Sequence, residues 1–175
     1  MPPGARLLDL ACGGGRHLRW FAARGVRTTG VDRAPDAVAA AREVGEGLLA
    51  DLEGAPWPLA GRVFDAVVVT HYLHRPLLPD IVASVAPGGV LLYETFAAGQ
   101  ETVGRPLRPD FLLQPGELLA ACAKLHVVAY EDGWLPQPRR VQRIVARRPS
   151  GGDGDRMPAL APCAPADTGP LHPGG

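Results

Sequence analysis

The chain has 175 residues, of which 46% are hydrophobic and 21% are charged, the composition of one ordinary globular domain. Lys and Arg together number 18, as do Asp and Glu, so the formal net charge is zero. A neutral chain with scattered basic residues has no long-range field that attracts DNA or RNA. The composition therefore disfavours binding to nucleic acid, and we expect no nucleic-acid partner.

Cysteine usage and hydropathy give an expectation about location. Cys12, Cys122 and Cys163 are far apart, odd in number and lack the paired spacing of a zinc or redox motif. We therefore expect reduced thiols, no metal and a cytoplasmic location. The chain has no export signal at its start, and no apolar run approaches the ~18 residues of a membrane span, so we expect no membrane contact. Nothing in the sequence indicates the oligomeric state.

From residue 5 to about residue 147, short β-branched runs alternate with Ala/Leu/Arg-rich stretches, which is typical of an α/β fold. The predicted strands are Arg6–Leu10, Val26–Asp32, Leu48–Ala50, Val63–Thr70, Val90–Phe96, Val127–Tyr130 and Gln142–Arg147. The predicted helices are Arg16–Arg24, Pro35–Glu43, Pro79–Val85 and Gly116–Lys124. The fourth and fifth strands are apolar enough to be central and buried on both faces.

The last part of the chain differs from the rest. Residues 149–175 are dominated by Gly, Pro, Ala and Asp and contain few bulky apolar side chains. Such a segment cannot bury enough surface to offset the entropy of ordering it. The sequence therefore predicts a folded domain over residues 1–148 and a disordered tail over residues 149–175.

The stretch "LLDLACGGGRHLRW", residues 7–20, runs from an apolar strand through a glycine loop into a helix. In open α/β sheets a ligand binds outside the carboxyl ends of the strands, beside such a loop. A phosphate-binding P-loop requires Gly-Lys-Ser/Thr, but Arg16 and His17 follow Gly15. The dinucleotide pattern requires a small residue where Leu18 or Arg16 stands. A nicotinamide-dependent oxidoreductase is therefore the lowest-ranked interpretation.

Acidic residues at the strand ends point to another nucleotide-like ligand. Asp9 would repel a pyrophosphate but suits the ammonium group of S-adenosylmethionine, which carries no phosphate. Asp32 ends the second strand, where an acid can accept the ribose hydroxyls; it could also cap the following helix. Asp51 ends the third strand and either accepts from the adenine amino group or is a plain turn residue.

These residues resemble the class I S-adenosylmethionine-dependent methyltransferase family, whose first motif matches "LLDLACGGG" at Asp9, Ala11, Gly13 and Gly15. "TTGVDRAPDAV", "ADLE", "FDAVVVT" and "APGGVLLYE" resemble the later motifs in the same order. The resemblance implies a Rossmann-like, mostly parallel seven-stranded sheet with helices on both faces. It also implies S-adenosylmethionine as cofactor, bound by Asp9, Leu10, Ala11, Cys12, Gly13, Gly15, Asp32, Arg33, Asp51, Leu52, Thr70 and Tyr72.

The stretches "VVVTHYLHRPLL" and "YETFAAGQETVGRPLRPDFLLQPGELL" are similar to a bacterial subgroup related to the tellurite-resistance type. This resemblance implies methyl transfer to a small-molecule or oxyanion acceptor. Candidates near the methyl group are His71, where the subgroup often carries Asn, and His74 and Arg75, which could hold an anion. Ordinary loop roles compete with each: His71 as a hydrogen-bonded loop residue and Arg75 as the residue that fixes the turn.

Two further features bear on the acceptor and on activity. The connection over Thr95–Gln114 is long, so it either closes over the acceptor, with Arg105 or Arg108 facing an anion, or is a surface excursion. Family members usually carry a helix or two before the first strand, and this chain has only "MPPGA" there. Either upstream residues are missing or the pocket is open, so a binding module that has lost catalysis is the alternative to an active enzyme.

Overall fold

The computed structural model describes residues 1–151, which form seven strands and four α-helices. The strands are β1 (Arg6–Leu10), β2 (Arg27–Asp32), β3 (Glu46–Leu49), β4 (Phe64–Thr70), β5 (Val85–Phe96), β6 (His126–Leu135) and β7 (Arg139–Arg147). The helices are α1 (Arg16–Ala22), α2 (Pro35–Arg42), α3 (Leu78–Ala83) and α4 (Glu117–Ala121). From residue 152 onward, the predicted tail lies outside the described residues, Cys163 included.

Within the described residues, all strands join one sheet in the order β3-β2-β1-β4-β5-β7-β6. The first five strands are parallel, and β7 runs antiparallel to both β5 and β6. The strand order reverses between β1 and β4, so their connections leave in opposite directions and open a crevice at the carboxyl edge. The predicted mostly parallel seven-stranded sheet is confirmed.

Alternating side chains of the central strands build two apolar layers. Leu7 packs on one face with Leu18 of α1 and Ala41 of α2. Leu8 packs on the other face in the cluster that contains Ile81 of α3. Successive strand residues point to opposite faces, so one strand supplies both layers. The prediction of helices on both faces is confirmed.

The start of β5 differs from the prediction. The helix predicted over Pro79–Val85 ends at Ala83, and β5 begins at Val85 instead of Val90. Val85 pairs with Phe64 before a bulge shifts the register, so the "APGG" segment lies inside an irregular strand. A Cβ on Gly89 would lie 2.9 to 3.1 Å from three carbonyl oxygens. The "APGG" segment resembles a turn in sequence because the bulge in the strand requires glycine.

The prediction that β5 is buried on both faces is wrong, while β4 has an almost wholly buried pattern. Leu92 retains 36% exposure. In the described part of the chain, α1 and α2 pack over β1, β2 and β3 and leave this side of β5 less covered. An apolar run alone does not reveal which helices cover it.

The β6–β7 hairpin is longer than the predicted strands because charged residues pair across it. Asp132 forms an ion pair with Arg140, and Glu131 lies opposite Arg143. Cross-strand pairs of opposite charge stabilise a sheet without an apolar pattern. None of the helices among residues 1–151 is both long and apolar enough to cross a bilayer.

Candidate active site

The glycine loop turns sharply between β1 and α1. Ala11, Gly13 and Gly15 have φ values of 52°, 50° and 70°, in the left-handed region. Gly13 and Gly14 have nothing within 4 Å of the position that a Cβ would take. The loop therefore presents bare backbone to open space, where a ligand can approach closely.

Asp9 is a buried carboxyl group with an unused acceptor. The residue is 1% exposed, and its Oδ2 atom has no hydrogen-bond partner within residues 1–151. The Nδ1 atom of His17 lies 3.4 Å from Oδ2, too poorly aligned for a hydrogen bond. Burial raises the pKa of Asp9 to about 7, and the guanidinium of Arg16 opposes the rise. A ligand cation would supply the missing partner and favour the carboxylate.

Asp32 connects the glycine loop to α2. One carboxylate oxygen accepts the backbone N–H of Gly13 at 2.9 Å, and the other accepts that of Ala34 at 2.9 Å. The capping interpretation is not supported, because the N-cap of α2 is Ala34 and no side chain caps this helix; Asp32 instead closes a turn just before it. Each carboxylate oxygen keeps a second lone pair, so Asp32 can also accept from a ligand hydroxyl.

A cavity of about 240 Å³ lies beside these acids. It brings together six predicted cofactor residues with two unpredicted ones: Ala11, Asp32, Arg33, Asp51, Leu52 and Tyr72, with Ala50 and Glu53. The hydroxyl of Tyr72 is buried without a partner in the described residues, and burial raises its pKa to about 12. A buried O–H donor without an acceptor fits a polar ligand in this cavity.

The other predicted cofactor residues do not line this cavity: Asp9, Leu10, Cys12, Gly13, Gly15 and Thr70. Leu10 is wholly buried, and Cys12 packs in the core beside Gly30 and Leu18. Burial raises the pKa of Cys12 to about 12, so this thiol is unreactive. The side chains of Leu10 and Cys12 therefore contribute to core packing. Their backbone atoms are the part that a ligand can contact.

A larger cavity of about 630 Å³ adjoins the first and shares Glu53 and Tyr72 with it. Most of its wall is apolar: Leu73, Phe96, Pro106, Leu107 and Phe111. The exceptions include His71, Arg105 and Arg108. An enclosing apolar wall with a few polar groups is typical of a small-molecule site.

The two arginines of this cavity differ in their partners. Arg108 forms an exposed ion pair with Asp110 at 2.7 Å. The side chain of Arg105 makes no hydrogen bond or ion pair with any of the residues 1–151. Arg105 is therefore the guanidinium whose fork is available to an anion.

The connection over 95–114 is tied down at its base. Leu113 donates its N–H to the carbonyl of Phe96 at 3.0 Å, and Ala98 donates to Leu113 at 2.9 Å. Gln100, 4% exposed, accepts from the N–H of Arg140 at 2.8 Å and donates to the Arg105 carbonyl at 3.2 Å. The connection reaches the large cavity at its base, through Thr95 and Phe96, and at its tip, through residues 105–108 and Phe111.

Arg75 serves this connection. Its guanidinium pairs with Glu117 at 2.7 and 2.9 Å and donates to the carbonyls of Asp110 and Leu112. These contacts leave no free fork for an anionic acceptor and support the interpretation that Arg75 fixes the turn. His74 and Arg75 line a further cavity of about 340 Å³ that adjoins the large one and shares Glu53, Leu73, Arg108 and Phe111 with it. Of the three predicted catalytic candidates, His71 alone lines the large cavity.

Sequence reasoning missed two residues of the site. Glu53 lines both cavities. It follows Asp51 by two positions, and no sequence pattern separates it from an ordinary surface acid. His17 follows the glycine loop on α1 and reaches Asp9. Tyr93 is 2% exposed and donates its hydroxyl to the Tyr72 carbonyl at 2.9 Å, so it packs beneath the site and fixes the backbone of Tyr72. Across residues 1–151, no three His, Cys, Asp or Glu side chains are grouped to hold a metal ion.

A glycine loop and strand-end acids at the switch point of this sheet define the class I methyltransferase fold. Residues 7–89 match the family model described as a methyltransferase domain. The fold resembles that of TehB from Haemophilus influenzae, with a TM-score of 0.65 at 22% identity over 83% of this chain and 58% of that one. Residues 7–89 therefore carry a methyltransferase domain, and together with the fold they support assignment to the class I S-adenosylmethionine-dependent methyltransferase family, whose cofactor is S-adenosylmethionine.

Two curated relatives share sequence with it. The chain is 38% identical over 103 residues to a malonyl-[acyl-carrier protein] O-methyltransferase of Serratia marcescens, covering 55% of this chain and 40% of the relative. It is 33% identical over 115 residues to a trans-aconitate 2-methyltransferase of Paracidovorax citrulli, covering 59% and 44% respectively. The chain thus spans less than half the length of these relatives.

Proposed function

We propose that this protein transfers the methyl group of S-adenosylmethionine to a small-molecule acceptor that carries an anionic group. The observation that carries the proposal is the pair of adjoining cavities that share Tyr72 and Glu53. One is edged by acids and opens beside the glycine loop. The other is largely apolar and has an unpaired guanidinium on its wall.

The residues of the smaller cavity and of the loop fit the cofactor. Asp9 offers its unused oxygen to the ammonium group, and Asp32 offers lone pairs to the ribose hydroxyls. Asp51 and Leu52 face the adenine, with Tyr72 beside it. When bound, the cofactor supplies an electrophilic methyl group. The protein mainly fixes position, and good positioning can contribute roughly 7 to 11 kcal/mol in favourable cases.

The larger cavity fits an acceptor with an apolar body and a negatively charged end. Arg105 is the guanidinium free to pair with that end, while Phe96 and Phe111 enclose the body. The names of the two relatives described above refer to acceptors that bear carboxylic acids, which supports an acidic acceptor. The zero net charge favours a small molecule over a nucleic acid.

Residues 1–148 would form the catalytic domain. A cytoplasmic location stays a prediction; Cys12 and Cys122, which are buried and free, are compatible with it. A binding module without turnover remains the competing function, and it differs only in the second half of the test below.

The test is calorimetric titration of S-adenosylhomocysteine into the wild-type chain and into the Asp9→Asn and Asp36→Asn variants. We expect binding by the wild type, unchanged binding by Asp36→Asn, because Asp36 is exposed on α2, and at least tenfold weaker binding by Asp9→Asn. Equal binding by all three would contradict the assignment of Asp9. No binding by the wild type would reject the proposed function.

The second half measures turnover. Release of S-adenosylhomocysteine from S-adenosylmethionine is followed with a panel of small carboxylic acids, with and without a hydroxyl group, and with the corresponding amides as uncharged controls. We expect turnover among the acids and none among the amides. Tight cofactor binding with no turnover of any acceptor would favour the binding module.

A further inference from the structure

His71 has an unusual backbone conformation at the wall of the large cavity. Its φ is 55°, and in the described part of the chain only Ala11 is another non-glycine residue with positive φ. The N–H of His71 donates to the carbonyl of Glu94 at 2.9 Å. Its ring stacks on Phe96, with centroids 5.0 Å apart and planes 13° apart. A left-handed conformation is strained for histidine and is found most often where function requires it.

A row of paired charges crosses three strands, and one end of the row lies beside this ring. The Oε1 atom of Glu94 on β5 lies 3.7 Å from Nε2 of His71. The other oxygen of Glu94 pairs with Nε of Arg143 on β7 at 2.5 Å. Arg143 also pairs with Glu131 on β6 at 3.2 Å. The strand register places these residues side by side, so Glu94 is held at both its backbone and its carboxylate.

We propose that His71 accepts the proton of an acceptor hydroxyl and that Glu94 is the positioning residue that orients its ring. This inference rests on the proposed function and names its acceptor class. Nε2 faces Glu94, which leaves Nδ1 free to take a proton. As the acceptor oxygen bonds to the methyl carbon, its proton passes to Nδ1, and the electron pair of the broken carbon–sulfur bond stays on sulfur.

The substrate class follows from this proton. A carboxylate acceptor is already ionised and would give His71 nothing to accept, whereas a hydroxyl needs a base. The free guanidinium of Arg105 on the same wall suits an anionic group elsewhere on the acceptor. The acceptor is therefore a small hydroxy acid, held at its carboxylate and methylated at its hydroxyl.

Other charged groups act on the same imidazole. His71 lies close enough to His17 of α1 to lower the pKa of His17. The residues that share the cavity wall add one carboxylate and two guanidinium groups: Glu53, Arg105 and Arg108. Glu94 is distinguished from these because it contacts His71 through both backbone and side chain. Its carboxylate balances the charge that the ring gains with the proton.

The first experiment compares His71→Asn with wild type and with His126→Asn. Asparagine tolerates positive φ, so the variant keeps the loop conformation while losing the base. The acceptors are the three monohydroxybenzoates and, as matched compounds without a hydroxyl, benzoate and phthalate. We expect turnover of hydroxybenzoates only, a fall in kcat of roughly 10²- to 10⁴-fold in His71→Asn, and no change in His126→Asn. Preferred turnover of benzoate, or equal kcat in His71→Asn, would overturn the proposal.

The second experiment tests Glu94 without requiring turnover. The ¹⁵N chemical shifts of the His71 imidazole, which report its tautomer, are compared by NMR in wild type, Glu94→Ala and Glu131→Gln. We expect the Nε2–H tautomer in wild type and in Glu131→Gln, which loses only a contact to Arg143, and a mixture of tautomers in Glu94→Ala, because the proton on Nε2 loses the carboxylate that it faces. Equal shifts in wild type and Glu94→Ala would overturn the positioning role.

Failure of this inference can be distinguished from failure of the proposed function. His71 and Glu94 are not placed in the cofactor cavity, so we expect S-adenosylhomocysteine to bind both variants as tightly as wild type. If the wild type bound no S-adenosylhomocysteine, the proposed function would fail, while the NMR shifts of the imidazole would still report on the His71–Glu94 pair.

Discussion

The two halves of this sheet build their cavities in different ways. The cofactor side, β1 to β4, uses residues close to strand ends, and its contacts are mostly short in sequence, such as Asp32 with Ala34. The acceptor side uses contacts across large separations, such as Arg75 with Glu117. The cofactor cavity is thus a local feature of strand-to-helix turns, whereas the acceptor cavity depends on how the long connection docks. A substitution that damages one cavity should therefore leave ligand binding in the other unchanged.

The largest effect is expected from Asp32→Ala. The substitution removes the acceptor for ligand hydroxyls and also the bond that holds Gly13 in the loop. We expect the Kd for S-adenosylhomocysteine to rise about 100-fold or more, since charge-assisted bonds contribute about 1.5 to 3 kcal/mol each. Calorimetry measures it, with Asp36→Ala as control. A change below fivefold would show that Asp32 acts only through its backbone contacts to Gly13 and Ala34.

Arg75→Met should separate the two cavities. The variant loses a bidentate ion pair and two carbonyl contacts that fix the base of the 95–114 connection. We expect about 1 to 3 kcal/mol less stability in urea denaturation and a large rise in acceptor KM, with cofactor affinity unchanged.

Arg108→Met is the matched control for that variant. Its ion pair with Asp110 is exposed, so we expect its loss to change stability by less than about 1 kcal/mol. If Arg75→Met weakened cofactor binding as much as acceptor binding, the two halves would not be independent.

Arg105→Gln is expected to have a smaller effect, confined to acceptor binding. Loss of the unpaired guanidinium should raise KM for acidic acceptors about tenfold and leave the stability of the fold unchanged, because the side chain has no partner within residues 1–151 to lose. Steady-state kinetics with an acid and its amide measure the effect. A similar rise in KM for both compounds would show a packing role instead.

The smallest effect is the pH dependence of cofactor binding. The pKa of Asp9 is raised by burial to about 7, and binding of an ammonium requires the carboxylate. We expect S-adenosylhomocysteine affinity to fall about fourfold between pH 8 and pH 6.5. Asp9→Asn should remove this dependence. A flat profile in the wild type would contradict the role of Asp9.

The stability of the free protein should respond to pH in the opposite direction. Because the folded-state pKa of Asp9 is raised from 3.8, the folded protein binds more protons than the unfolded one between about pH 4 and pH 7. The contribution of Asp9 is therefore present at low pH and is lost as pH rises through this window. Denaturation of wild type and Asp9→Asn at pH 5 and pH 8 measures it.

Several features of the site were predictable because they are local. Asp9, the glycine loop and Asp32 follow directly from strand-end positions, and the smaller cavity contains six of the predicted cofactor residues. Glu53 was not predictable, because no pattern distinguishes it from other surface acids. Arg75 and Arg105 look alike in sequence, and only their partners decide which of them is free.

By itself, the sequence determined the α/β class, the approximate positions of the parallel strands and the glycine loop after the first of them, because apolar periodicity and glycine spacing act over a few residues. Tertiary structure alone decided the exposed side of β5, the long β6–β7 hairpin and the row of charges behind His71. These depend on pairs such as Glu94 and Arg143, 49 positions apart in the chain, which meet only through strand register. Contacts of that range leave no periodic signal, so only the folded sheet reveals them.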